Sequence, residues 1–311
     1  MRAVPPPPTR SPAPTEVSRR ALVAAVAGVL VFTASAFVAV RHLRDAFAPG
    51  PMSLGRLVVG SVVLGLLLLA SRSWRPMSAR DWVATSAAGV LLFGVYNIAI
   101  NAGAGRVDAG TAALVNQTAP AVIALLAVVV LRERLSRSAV LGTALAFGGV
   151  ATIALGASSG VEGDLVGVLL CLAAAFAYAV GAVLEKPLVA RVPALQLTWV
   201  ACTVGAVACL PFGAALHAEV RAASASDLGW LVFLGVGPTA VAFAAFAFAL
   251  RSMDASALGT TTYLVPPLAI AMSWVALGET PPGSAYLGGA LSLVGVALAQ
   301  RTGRGSRDPA P

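Results

Sequence analysis

Two stretches decide the fold: residues 108–155, DAGTAALVNQTAPAVIALLAVVVLRERLSRSAVLGTALAFGGVATIAL, and residues 254–300, DASALGTTTYLVPPLAIAMSWVALGETPPGSAYLGGALSLVGVALAQ. Laid side by side they keep one offset of 146 residues. Asp108-Ala109 meets Asp254-Ala255, Pro120 meets Pro266, Glu133 meets Glu279, Gly142 meets Gly288, and Gly149-Val150 meets Gly295-Val296. The register extends back to Asp81 with Asp227 and Gly89 with Gly235. A gapless offset over so many positions marks an internal repeat.

Working outward, the whole chain is apolar. Of 311 residues, 58% are hydrophobic and only 11% charged, with a mean hydropathy of +0.87. A soluble chain carries about a quarter charged residues, so this one has too little polar surface to cover a water-facing globule. A helix needs about 20 mostly apolar residues to cross a hydrocarbon core of about 30 Å. Ten stretches meet that requirement, near 21–40, 52–71, 82–103, 110–131, 138–156, 164–184, 195–216, 228–250, 255–277 and 284–301. With the N-terminus placed in the cytoplasm, sixteen basic residues fall inside and four outside (Arg41, Arg44, Arg106 and Arg221), leaving Arg56 within the second span. That asymmetry obeys the positive-inside rule and puts both termini in the cytoplasm. It also accounts for the net charge of +8 without a nucleic-acid partner.

Each repeat then holds five spans. An odd number forces the second half to enter the membrane upside down, and inverted repeats build scaffolds that open first to one side and then to the other. The expected fold is an all-α integral membrane protein of ten transmembrane helices in two inverted five-helix repeats. The expected divisions are a disordered cytoplasmic tail (1–20), a first repeat (21–156), a linker (157–163), a second repeat (164–301) and a cytoplasmic tail (302–311). The run at 21–40 exceeds the core of a secretory signal and reads as a retained span. Only Lys186 among the basic residues is a lysine, a composition associated with GC-rich bacterial genomes. The expected location is the bacterial cytoplasmic membrane, as a multi-pass protein.

The quoted pair resembles the EamA repeat of the drug/metabolite transporter superfamily. Small residues, a mid-helix proline, an apolar stretch, Leu-x-Glu and a glycine-bearing final helix recur in both copies, and the likeness covers about residues 21–301. It implies a ten-helix carrier, often an exporter of amino acids or other metabolites. The echo departs from its partner in placing Gly278 where the first copy has Arg132.

Candidate site residues come from polarity at membrane depth. Asn116, Gln117 and Thr118 precede Pro120, while Thr260, Thr261, Thr262 and Tyr263 precede Pro266. Proline frees backbone carbonyls that a cavity can use, so Pro120 and Pro266 read as hinges or pathway walls, against tolerated kinks. The polar clusters must face other helices or water rather than lipid. They are read as a substrate pathway, against plain interhelical hydrogen bonding. Asn97 and Asn101, one turn apart, join them, with Tyr96 nearby. Arg56 is either a snorkelling side chain or a cation for a carboxylate or phosphate. Glu133 and Glu279 are read as supports for their turns, by accepting backbone N–H groups or pairing with Arg134 or Arg137. Phe243, Phe246 and Phe248 read as packing or lipid-facing residues, and Trp82, Trp199 and Trp230 as interface anchors.

Cys171, Cys202 and Cys209 lie in apolar runs without metal spacing, and neither G-x-x-x-x-G-K-[ST] nor H-E-x-x-H occurs. No cofactor, metal or catalytic residue is therefore expected. The reading is a secondary transporter moving small metabolites, with export as the expected direction. The alternatives are a non-transporting membrane sensor or assembly partner and, behind these, a membrane-embedded enzyme. Expected partners are a small-molecule substrate, the lipid bilayer, a coupling proton or ion, and a second copy in a homodimer.

Overall fold

The computed structural model describes residues 19–123, 126, 137–158, 164–189, 191–250, 258 and 261–301, and every regular element among them is helical. α1 (Arg19–Leu43) and α2 (Pro49–Ser71) are uninterrupted. α3 (Ala79–Ala104) contains a π turn at Val90–Val95. α4 (Ala109–Asn116) is short, and α5 (Arg137–Ser158) and α6 (Leu165–Glu185) follow. α7 (Ala194–Ala208) and α8 (Gly213–Ala222) are joined through Leu210–Phe212 with a 50° bend. α9 (225–250) carries a π turn at Gly235–Val241, and α10 (Val265–Leu277) and α11 (Gly283–Arg301) close the chain. Among the described residues five helices are long and apolar enough to cross a membrane, and a sixth if the bent pair is one span. Shorter apolar helices cover Val140–Leu155, Thr262–Leu277 and Gly283–Leu298. The expected seventh span is thus broken, because Pro211 cannot continue the ladder.

The repeat recurs in local structure. Ser78 caps α3 by accepting from the Asp81 N–H, and Ser224 caps α9 by accepting from the Asp227 N–H. The two π turns fall at equivalent places in the two halves, directly after Gly89 and at Gly235. The stretches before Pro120 and Pro266 break together: α4 ends at Asn116, and its equivalent Thr262 begins a 3₁₀ turn through Leu264 before Pro266. Gly278, at the Arg132 position, ends α10 at φ 69°, a left-handed cap that favours glycine.

Packing shows the same symmetry. A side chain on Gly149 would overlap the backbone of Gly288 and Ser292, and one on Gly295 would overlap the backbone of Gly142 and Ala146. Shifted by 146 residues, the first contact becomes the second. The order also reverses along α11 as it advances along α5, so these helices pack antiparallel about a two-fold axis lying across them. Lipid tails are as apolar as leucine, so helices in a bilayer are held by close approach rather than by hydrophobic transfer. Glycine at these crossings supplies that approach.

Candidate functional site

α9 builds the centre of the site. Pro238 has no N–H to give the Leu234 carbonyl four residues back, and the helix widens into its π turn here. The Thr239 hydroxyl adds a donor to that carbonyl, bonding Leu234 O at 2.8 Å. Thr239 Oγ1 in turn accepts from Arg56 Nε at 3.3 Å and Nη2 at 3.2 Å. α2 reaches this point because Gly60, one turn beyond Arg56, lacks a side chain that would overlap the Thr239 methyl.

Arg56 lines a cavity of about 250 Å³ between the halves. It is 7% exposed, so it does not snorkel to the surface. Asn97, Asn101, Asn116, Gln117, Pro120 and Thr262 line the same cavity, as does Tyr96. Asn97 Nδ2 donates to Phe93 O at 2.8 Å and Asn101 Nδ2 to Ser53 Oγ at 2.9 Å, whose own proton goes to Pro49 O. Both amide oxygens are buried without a partner among the described residues. Asn116 Oδ1 is likewise buried without a partner among the described residues. Gln117 Nε2 donates to Thr262 O at 3.0 Å, joining the two equivalent breaks before Pro120 and Pro266.

Three expected pathway residues stand elsewhere. Thr118 is fully buried and donates to Val115 O at 2.7 Å, and Thr261 donates to Leu258 O at 2.6 Å. Each bonds the carbonyl three residues back in its own chain segment. Tyr263 packs against Ala121, Ala146 and Val296 beside the α5–α11 crossing. Pro266 is buried just behind the wall formed by Val265.

Two expectations are corrected. Phe243 and Phe246 line the cavity rather than only packing or facing lipid, and Phe243 stands 5.3 Å from Phe93 across it. Glu279 pairs with Arg41 of α1, at 2.9 and 3.1 Å, where the sequence reading named Arg134 or Arg137. Arg41 also donates to Gly105 O at 2.7 Å, tying α1, the α3–α4 loop and the α10–α11 loop together. Around them lies a recess of about 640 Å³ holding Arg106, Asp108, Thr111 and Asp164. Arg106 bonds Asp164 at 2.9 Å. Burial raises the Asp108 carboxyl above its ordinary range, against its bonds to Thr111, and the nearby Glu279 adds to the rise. Glu133, Arg132 and Arg134 lie outside the described residues.

Sequence reading passed over Pro238 and Thr239. A proline followed by threonine inside an apolar run was the available signal. No group of three or more His, Cys, Asp or Glu able to hold a metal occurs among the described residues. The arrangement offers one cation, several amide groups and aromatic walls at the meeting of the two halves. That suits reversible binding of a small polar or amphipathic solute.

The comparisons agree with this class. The model of the EamA-like transporter family matches residues 20–155 and again 165–300. A protein of Streptantibioticus cattleyicolor named as a probable terminal-alkyne amino-acid exporter is 34% identical over 89% of this chain and 93% of its own length. An uncharacterized transporter of Bacillus subtilis, YdfC, is 31% identical over 85% of each chain. One solved crystal structure superimposes with a TM-score of 0.60 at 23% identity, over 94% of this chain and 99% of that one. That last likeness bears on the fold alone.

Proposed function

The chain belongs to the EamA-like transporter family, and from that premise we propose that it is a secondary carrier exporting small metabolites, amino-acid-like or otherwise polar and amphipathic, by alternating access. It is a multi-pass protein of the cell membrane. In the proposed topology ten spans form two inverted repeats, 21–156 and 164–301, joined by 157–163. Both tails, 1–20 and 302–311, then lie in the cytoplasm. Pro120 and Pro266 act as hinges at the paired breaks, and Asn97, Asn101, Asn116, Gln117, Thr262 and Arg56 form the pathway.

The observation that carries this reading is the cavity itself, which lies between the halves and is lined by both members of the repeat pair Asn116 and Thr262. A site on a two-fold axis can be reached from either face by exchanging the conformations of the two halves. Export, and amino-acid-like cargo, are carried over from the exporter of Streptantibioticus cattleyicolor.

The test is metabolite balance. Cells lacking the protein should retain the exported solute, and purified protein in liposomes should release it faster than empty liposomes. No solute moving in either assay would sink the carrier reading.

A further inference from the structure

We propose that the cavity recognises one carboxylate, received end-on by Arg56, and that Thr239 is the positioning residue that turns the guanidinium to receive it. This rests on the carrier reading and names the chemical group its cargo must bear.

The geometry is that of a half-used fork. Guanidinium has five N–H donors. Nε and one N–H of Nη2 go to Thr239 Oγ1, which occupies the lateral edge. The end-on edge, formed by Nη1 and the other N–H of Nη2, makes no hydrogen bond among the described residues. Arg56 takes part in none of the ion pairs found among them. A buried cation without a counter-ion is costly, and a carboxylate bound through two parallel N–H groups answers the charge and the geometry together.

A second observation points the same way. Asn97 and Asn101, 3% and 1% exposed, line the cavity, and their buried amide oxygens have no partner among the described residues. Their orientation is fixed: Asn97 Nδ2 faces a carbonyl, which only accepts, and the Ser53 hydroxyl has already given its proton to Pro49. Free acceptors suit an ammonium or hydroxyl on the same solute. The described lining holds one cation and no acid, so it balances one negative charge. A phosphate monoester carries about −1.5 to −2 at neutral pH and would stay partly unneutralised, as would a dicarboxylate. A cation without a carboxylate would meet Arg56 unshielded.

The experiment measures binding to the purified full-length protein in detergent by calorimetry. The probes are apolar L-amino acids from alanine to leucine, their amides, L-glutamate and inorganic phosphate. At least one free acid should bind, with its amide, glutamate and phosphate about 10- to 100-fold weaker, as expected for loss of a charged hydrogen-bonded contact. Arg56→Gln should lose the acid by a similar factor. Arg56→Lys, which keeps charge without the fork, should fall between. Thr239→Val should lower the ratio of acid to amide affinity, and Thr239→Ser should restore it. The inference is overturned if no acid binds, if an amide or phosphate binds as well as its acid, or if the acid-to-amide ratio survives in both Arg56→Gln and Thr239→Val. Should Arg56→Gln fail to fold, the wild-type acid-to-amide ratio and Arg56→Lys decide. In liposomes, movement of solutes lacking a carboxylate would sink this inference alone, whereas no movement of any solute would sink the carrier reading beneath it.

Discussion

Pro238 takes a backbone donor out of α9 beside the cavity, and Thr239 supplies a hydroxyl in its place. Side-chain hydrogen bonds in bilayers average about 0.6 kcal/mol, but a buried donor left without an acceptor costs roughly 1–3 kcal/mol. Thr239→Val takes from the buried Arg56 guanidinium the acceptor of its Nε and Nη2 groups, so the larger figure applies. We expect about 1–2 kcal/mol of lost stability in denaturant unfolding, with Thr239→Ser close to wild type. Asp108 makes a different case at the start of α4, where its carboxylate caps Thr111 N–H at 2.8 Å. Its pKa is raised above 3.8 in the folded protein, first by burial. The folded state therefore holds that proton more tightly than the unfolded one. Stability is fully present below the unfolded value and falls as pH rises through the raised one. Asp108→Asn keeps the capping oxygen without the charge, so at pH 7 it should match or exceed wild type, the difference closing below about pH 4. Asp108→Ala loses the cap and should cost about 1 kcal/mol. Residue identities such as Asn97, Asn101 and Arg56 were legible in the sequence because polarity at membrane depth is rare. The Arg41–Glu279 pairing was not, since its partners are far apart in sequence and only tertiary structure joins them.

At the scale of elements, hydropathy located the helices well and their interruptions poorly. A π turn adds one residue to a turn and leaves an apolar run apolar, so Val90–Val95 carries no pattern of its own, whereas Pro238 marks Gly235–Val241. The breaks before Pro120 and Pro266 were legible because proline has a fixed chemical consequence, and Pro211 would have marked the 50° bend between α7 and α8 on the same ground. The glycines of the α5–α11 crossing permit a sharp comparison. Alanine at Gly149 or Gly288 would push into backbone atoms, which cannot rotate away, whereas nothing lies within 4 Å of a Cβ at Gly229 in α9. Overpacking of this sort typically costs about 1–3 kcal/mol. In an open helix position, alanine is better than glycine by about 0.8–1 kcal/mol. Gly149→Ala and Gly288→Ala should therefore lower the melting temperature, while Gly229→Ala should hold or raise it.

For the whole molecule, the 146-residue offset was the most informative line of sequence, and its geometric counterpart is the antiparallel crossing of α5 and α11 with exchanged glycine contacts. Two-fold symmetry places the breaks before Pro120 and Pro266 opposite each other, and Gln117 bonded to Thr262 marks their meeting. Under the proposed topology the Arg41–Glu279–Gly105 network lies at the outer face, where it joins the halves over one end of the molecule. Opening to the outside would then require parting that network.

Alternating access is the central claim, and it can be tested before any cargo is known. Thr33 lines the cavity from α1, and the native Cys171, Cys202 and Cys209 are all buried. A Thr33→Cys variant, with those three replaced by alanine or serine, should be labelled by a membrane-impermeant thiol reagent in right-side-out and in inverted vesicles alike. Labelling confined to one face in both preparations would contradict a cavity that opens to each side in turn.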